Sequence, residues 1–212
     1  HIPQRYGLTI GELAGFMNTE DNIGCDLTVI KMTGWSRNMY YEDTGLTCWV
    51  LPSPNMPTID TAVVYPGNCL FEGTNLSEGR GTTKPFEIVG ASWVDGQKLS
   101  DKMNSLGLSG VFYRATSFTP TTSKFSGVSC GGVEVHVTDR SVFDSVLSGI
   151  SLLYTIRDMY PDSFAYLDNG QFERLTGTDS IKAGTYTLAE LKTQFEESSR
   201  TFKENSAKYY LY

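Results

Sequence analysis

Hydrophobic positions recur along this chain with two periods, and the switches between them outline a mixed fold. Thr9 and Glu12 bracket a capping box, each side chain reaching the other's orphan amide, and the pattern carries a first helix to about Asn18. Residues 26–32 (Asp-Leu-Thr-Val-Ile-Lys-Met) are rich in β-branched side chains and predict a strand. Residues 34–47 are polar and aromatic, with Asp43-Thr44-Gly45 as a turn. Pro52, Pro54 and Pro57 then exclude regular structure, because each removes a donor and restricts its predecessor. Thr58 reads as the N-cap of a helix over 59–65.

The second half is more strongly patterned. Residues 86–93 predict a strand and 97–106 a helix ended by Gly107. Residues 111–119 and 132–138 predict further strands, the latter on the alternation of Val133, Val135 and Val137. Residues 141–160 give the longest periodic run, with Phe143, Val146, Leu147, Ile150, Leu153 and Ile156 on one helical face and Pro161 as its stop. Short helices follow over 171–176 and 180–182, and a polar-faced one over 188–207. No repeat and no linker interrupts this order, so the expected fold class is α+β. It should be one mixed domain with a small sheet flanked by helices and a helical C-terminal third.

Composition narrows the partners. The 212 residues carry a net charge of −7, without the clustered basic footprint that a nucleic acid or an anionic membrane surface needs. No run of about 18 apolar residues is present to span a membrane. Cys25, Cys48, Cys69 and Cys130 are scattered without a CxxC pair, and there are only two histidines, which is no zinc pattern. Free thiols or one disulfide both fit them, and no metal or cofactor is implied. His1 to Tyr6 show neither an initiator Met nor a basic start leading into an apolar stretch, so the chain reads as part of something longer with any export signal upstream.

Residues 68–84, rich in Gly, Thr, Asn and Ser, predict an ordered loop. The overlapping stretch Glu72-Gly-Thr-Asn-Leu-Ser-Glu-Gly-Arg-Gly-Thr-Thr-Lys-Pro-Phe-Glu87 is costly to order unless the backbone geometry is used. It offers donors and acceptors side by side, as sugar hydroxyls require. Arg80 can grip a ligand carboxylate bidentately or pair internally with Glu72 or Glu78, and those two glutamates are the acid or base candidates. The order of residues fits neither a phosphate loop nor a Gly-x-Ser-x-Gly nucleophile elbow. Trp35, Arg37, Tyr40, Tyr41 and Trp49 form a second cluster, open to reading as a sugar-stacking wall or as core. His136 reads as a structural or solvent-facing residue, and Asp139 and Arg140 as a cap and a surface ion pair.

The segments Tyr6-Gly-Leu-Thr-Ile-Gly-Glu-Leu-Ala14, Pro52-Ser-Pro-Asn-Met-Pro57, the 72–87 loop, Thr138-Asp-Arg140 and Tyr209-Tyr-Leu-Tyr212 resemble, in order, landmarks of the bacterial exo-β-N-acetylmuramidase family. The resemblance implies a two-part enzyme that removes N-acetylmuramic acid from the non-reducing ends of peptidoglycan fragments. In it, a Rossmann-like N-terminal domain and a smaller C-terminal domain share a cleft. Residues 1–212 are expected to be the C-terminal, substrate-recognition domain, with the N-terminal domain and its main catalytic carboxylate outside the chain. Glu72 and Glu78 are then the catalytic candidates within it, and Asn75, Ser77, Arg80, Thr82 and Thr83 the substrate-binding ones, with Arg80 on the lactyl carboxylate. Muramic acid saccharides and the N-terminal domain are the implied partners, and the periplasm or the exterior the implied location. The competing class is a carbohydrate- or protein-binding module that recognises without cleaving.

Overall fold

The computed structural model describes residues 2–212 and is α+β, with a three-stranded sheet, flanking helices and a helical final third. It divides into two compact units, one of the residues up to Trp49 together with Leu191–Tyr212, the other Val50–Glu190. The boundary after Trp49 falls just before the three prolines. Among the described residues no helix is long and apolar enough to cross a membrane.

The larger unit holds helix α2 (Ile59–Asn68), strand β1 (Ile88–Ala91), helix α3 (Gly96–Asn104), strands β2 (Val111–Phe118) and β3 (Cys130–Val137), and helices α4 (Ser145–Met159) and α5 (Gln171–Thr176). The sheet is antiparallel in the order β1-β3-β2, with Val133 opposite Val89 and Ala115, and Val135 opposite Tyr113. Val133 and Val135 are buried in the core, as their alternation requires, while Glu134 and His136 share the opposite face. The outer edge of β2 is covered by α3, where the Asn104 amide donates to the Tyr113 carbonyl (2.8 Å) and accepts from its N–H (3.0 Å).

Helix α4 departs from the predicted run at its start and in its burial. Asp139 accepts from the Ser141 N–H and hydroxyl and shapes a turn there, so the helix begins only at Ser145, capped by Asp144 (2.9 Å to the Leu147 N–H). From Ser148 to Ile156 it is buried all round rather than on one face, while Val146 and Leu147 are only half-buried. Tyr113 of β2 and the turn at Ile181 bond Ser148 and Tyr154 of the helix, and its serine and glycine side is covered by α2: a Cβ on Gly67 would overlap the Ser145 carbonyl, and one on Gly149 the Gly67 backbone. Ser145 completes the join, its hydroxyl accepting from the Gly67 N–H and donating to the Val64 carbonyl, both at 3.0 Å. Small residues occupy the interior here because the two backbones nearly touch.

The smaller unit contains helix α1 (Ile10–Glu20), a 3-10 turn at Tyr41–Thr44, most of helix α6 (Leu188–Ser206) and a closing turn at Ala207–Tyr209. The Thr9–Glu12 capping box is formed, with bonds of 2.8 and 3.3 Å. Two predicted elements are corrected. Residues 26–32 form no regular element and pair with no strand among the described residues, and Ile30 is almost fully exposed, so a β-branched run without a ladder partner stays irregular. Residues 180–182 form turns rather than a helix, the bonds Ala183 N–H to Asp179 and Gly184 N–H to Ile181 closing single turns that Gly184 ends.

Candidate functional site

The 72–87 loop is built outward from α2. That helix runs on through Pro66 into a 3-10 turn at Cys69–Gly73, which delivers Glu72 to the loop's head. Two isolated bridges then pin the chain, Thr74 to Tyr166 and Ser77 to Gly90. Several polar side chains of the motif serve this backbone. The Asn75 amide donates to the Ser163 carbonyl (2.8 Å) and accepts from the Ala165 N–H (3.0 Å). The buried Ser77 hydroxyl accepts from the Gly79 N–H (3.2 Å), and the Thr82 hydroxyl donates to the Gly79 carbonyl (2.6 Å). Thr83 is exposed at the tip.

Arg80 stands between two glycines with left-handed backbone, Gly79 at φ 77° and Gly81 at φ 81°. Any Cβ at Gly79 would press on the carbonyls of Lys84 and Ile88, and one at Gly81 on the backbone of Thr122, so the Gly-Arg-Gly spelling follows from geometry as well as φ. The guanidinium is bonded to Glu72 through Nη2, lies 3.3 Å through Nε from Glu78, and sits 5.2 Å above the ring of Phe86. The internal pairing open to Arg80 in the sequence is therefore made, with both candidate glutamates at once. The two differ in access: the Glu78 side chain is 3% exposed, that of Glu72 20% and that of Arg80 33%.

Phe86 itself is left-handed at φ 63°, a costly state for a bulky residue. It is held there by its N–H to the Glu78 carbonyl (2.6 Å), by the buried Asn68 amide on its own carbonyl (2.7 Å), and by the edge of Tyr65, with ring centroids 4.8 Å apart. Burial, with Cys69 and the Glu72 carboxylate behind it, raises the Tyr65 phenol above its ordinary range against the opposing pull of Arg80. Strain at the residue beneath the arginine shows that surrounding structure dictates this geometry.

A second ionic network lies beyond the loop's end. Glu87, buried, accepts from the hydroxyls of Thr61 (2.5 Å) and Thr58 (3.1 Å) and from the Lys84 ammonium (2.8 Å). Lys84 also faces Glu134 at 3.6 Å, and Glu134 pairs with Arg114 and lies 3.6 Å from His136. Burial works against ionising Glu134, but Arg114, His136 and Lys84 outweigh it and hold the carboxyl low. The Glu87 bond, with further help from Glu134, raises Lys84 against the cost of its burial. His136 is part-exposed on the outer face of β3, as read from its place in the alternation. Arg140 reaches Asp60 at 2.6 Å, the surface ion pair expected of it.

The structure unites Glu72, Glu78 and Arg80, sends Asn75, Ser77 and Thr82 to the backbone, and leaves Thr83 open. Sequence reading missed Tyr65 and Lys124, which reach the loop from elsewhere, and gave Asn68, at the start of the loop, no role in it. Nothing local in the chain marks them, although Lys84 and Glu87 stood inside the motif. The aromatic cluster lies in the other unit, where Arg37 stacks on Tyr210 (4.0 Å), Trp35 meets Tyr212 edge-on (5.3 Å) and Tyr41 meets Trp49 (5.0 Å). No disulfide joins the four cysteines, Cys69 and Cys130 being buried and Cys25 and Cys48 exposed. Among the described residues no group of three or more His, Cys, Asp or Glu is placed to hold a metal ion.

Comparison with known proteins agrees over the whole chain. Residues 63–212 match the family description "Exo-beta-N-acetylmuramidase NamZ, C-terminal" and residues 1–60 its N-terminal counterpart. The chain is 47% identical, over 215 aligned residues, to the peptidoglycan beta-N-acetylmuramidase NamZ of Bacillus subtilis (strain 168), covering all of this chain and 51% of that protein, so it spans about half that relative's length. Two solved DUF1343 family proteins from Bacteroides fragilis NCTC 9343 are similar in structure. One has a TM-score of 0.92 at 32% identity, covering 100% of this chain and 58% of that one; the other has a TM-score of 0.64 at 27% identity, covering 98% and 56%. With both family descriptions matched in order and the loop motif folded as a unit, this chain belongs to the exo-β-N-acetylmuramidase NamZ family.

Proposed function

We propose that this chain supplies the substrate-recognition wall of a peptidoglycan glycoside hydrolase that releases N-acetylmuramic acid from non-reducing ends. In this reading residues 63–212 act as the C-terminal domain and residues 1–60 belong with the N-terminal one, which departs from the expectation of a C-terminal domain over 1–212 with the N-terminal domain wholly outside it. The N-terminal domain supplies the main catalytic carboxylate across the cleft, since glycoside hydrolysis uses two groups flanking the bond. The carrying observation is Arg80, a part-exposed guanidinium held over the ring of Phe86, whose backbone is left-handed, with one open and one closed carboxylate beside it.

A part-exposed ion pair is weak, so a ligand carboxylate can take the place of Glu72 on Arg80 at small cost. Glu72, once released, is the carboxylate of this loop able to turn toward substrate. Glu78, enclosed, orients Arg80 instead. Asn75, Ser77 and Thr82 contribute by holding the loop's shape, and Thr83 offers a hydroxyl at its tip. Location in the periplasm or outside the cell belongs to the same proposal.

The test is turnover of a chromogenic N-acetylmuramic acid glycoside by the full-length protein, with and without Arg80→Ala. The variant is expected to raise KM on the order of tenfold or more for that substrate and little for its lactyl methyl ester, the loss of one charged hydrogen-bonded contact. Equal losses on both would remove Arg80 from carboxylate recognition. Absence of release by the parent protein would refute the hydrolase, and retained binding would then favour a recognition module.

A further inference from the structure

Lys124 lies some forty residues beyond the loop motif, in the connection between β2 and β3, yet its ammonium ends beneath the motif. It donates to the carbonyls of Phe71 (2.8 Å) and Leu76 (3.0 Å) and to Oε2 of Glu78 (2.9 Å), with the Glu72 carbonyl at 3.4 Å. Three bonds at or under 3.0 Å match the three protons of an ammonium. The residues on both sides of it, Ser123 at φ 66° and Phe125 at φ 58°, are left-handed without being glycine. The connection is also tied to the loop by Thr121, whose N–H and hydroxyl both donate to the Gly81 carbonyl at 2.9 Å. Strain on either side of one lysine, in a segment bonded to the arginine's own neighbour, marks a placement that the rest of the unit enforces.

Charge counting shows what the placement does. Glu72 and Glu78 face Arg80, and without Lys124 a single guanidinium would serve two carboxylates, one of them enclosed. Lys124 binds the far oxygen of Glu78 and balances the cluster at two charges of each sign. Arg80 then keeps attraction for an incoming anion, which in an unbalanced cluster would meet net negative charge at short range. The same ammonium ties the carbonyls of Phe71 and Leu76, on either side of the Glu72 turn, and so sets where that glutamate emerges.

We propose that Lys124 is a positioning residue of the anion site. By neutralising Glu78 and clamping the loop from below, it leaves Arg80 free to select ligands that carry a carboxylate. This rests on the reading of Arg80 given under the proposed function.

The test uses the full-length protein with Lys124→Met, Glu78→Gln and the double variant. Turnover is measured on chromogenic N-acetylmuramic acid glycoside and on its lactyl methyl ester, with Arg80→Ala as reference. Lys124→Met is expected to raise KM for the carboxylate substrate on the order of tenfold with a much smaller change in kcat, and to leave the ester nearly unchanged. Lys124→Met/Glu78→Gln, which restores charge balance, is expected to recover most of that KM. If Lys124→Met does not fold, the double variant carries the test: it must keep the preference for the acid over the ester. Arg80→Ala with a carboxylate-specific loss but Lys124→Met without one overturns the role of Lys124 alone. Equal behaviour of acid and ester in Arg80→Ala overturns the reading of Arg80, and this inference with it. Failure of the second substitution to recover KM leaves Lys124 as scaffold only and sinks the charge-balance argument.

Discussion

Each unit of this protein buries a glutamate against an arginine, and the two centres are closed in different ways. In the smaller unit Glu12 takes the Thr9 N–H (2.8 Å), the Leu211 N–H (2.7 Å) and the Arg37 guanidinium (2.6 Å), while Arg37 also reaches the Gly7 carbonyl and stacks on Tyr210. Backbone amides from both ends of the unit converge on one carboxylate, which leaves the pair no freedom. Around Arg80 the partners are side chains, two carboxylates and, behind one of them, a lysine. A centre closed by backbone groups is a fastener. One closed by side chains, with its outer carboxylate part-exposed, can exchange a partner for a ligand.

The sharpest way to break the contrast is to make the same substitution in both. Glu12→Gln removes the buried carboxylate that Arg37 and two backbone amides bond, and is expected to destabilise the fold by about 2–4 kcal/mol in urea denaturation. Burial raises the Glu12 carboxyl, but the Arg37 bond and the Leu211 and Thr9 amides outweigh it and bring it down to about 2 from an ordinary 4.5. A carboxyl lowered on folding stabilises the protein fully above its unfolded value, and that stability is lost as pH falls toward the folded one. The gap between parent and Glu12→Gln should therefore be widest above pH 4.5 and close as the pH drops toward 2. A gap independent of acid would mean that the carboxylate is not what fastens the unit.

An intermediate effect is expected at Asn75, whose amide holds Ser163 and Ala165 by two backbone bonds. Asn75→Ala should cost about 1–3 kcal/mol and speed hydrogen exchange at the Ala165 amide. An unchanged amide would return Asn75 to direct substrate contact. The smallest effect belongs to Glu72→Gln, the counterpart of Glu12→Gln in the exchangeable centre. Its part-exposed pair should contribute about 0–1 kcal/mol to stability, so that the variant unfolds close to the parent in urea. A loss as large as that of Glu12→Gln would erase the distinction between fastener and exchangeable site.

Much of this was legible in advance, and the failures have a common cause. The Thr9–Glu12 cap, the strands of the sheet and α5 follow from local chemistry, because a cap or an alternation needs only neighbours in sequence. Residues 26–32 misled because a β-branched run requires a partner strand, and none of the described residues pairs with it. Helix α4 misled because its apolar residues read as one buried face, whereas its small polar positions are buried too: Ser145 and Gly149 lie against α2, and Ser148 bonds the Tyr113 hydroxyl. The closing Tyr209-Tyr-Leu-Tyr212 stood out as a family landmark without a reason. Its reason is spatial: Tyr209 bonds Glu20 (2.7 Å), Tyr210 lies under Arg37, Leu211 donates to Glu12, and Tyr212 accepts from the Met32 N–H (2.8 Å).

The sequence by itself determined the α+β class, the family, and the loop from Glu72 to Glu87 with Arg80 at its centre. Those rest on short-range patterns and on a motif whose glycines are spelled out residue by residue. Only the tertiary structure decided that Arg80 joins both glutamates, that Asn75, Ser77 and Thr82 bond backbone, and that Lys124 completes the charge. Charge balance in a buried cluster depends on groups that meet across the fold, and no spacing along the chain records which of them will meet.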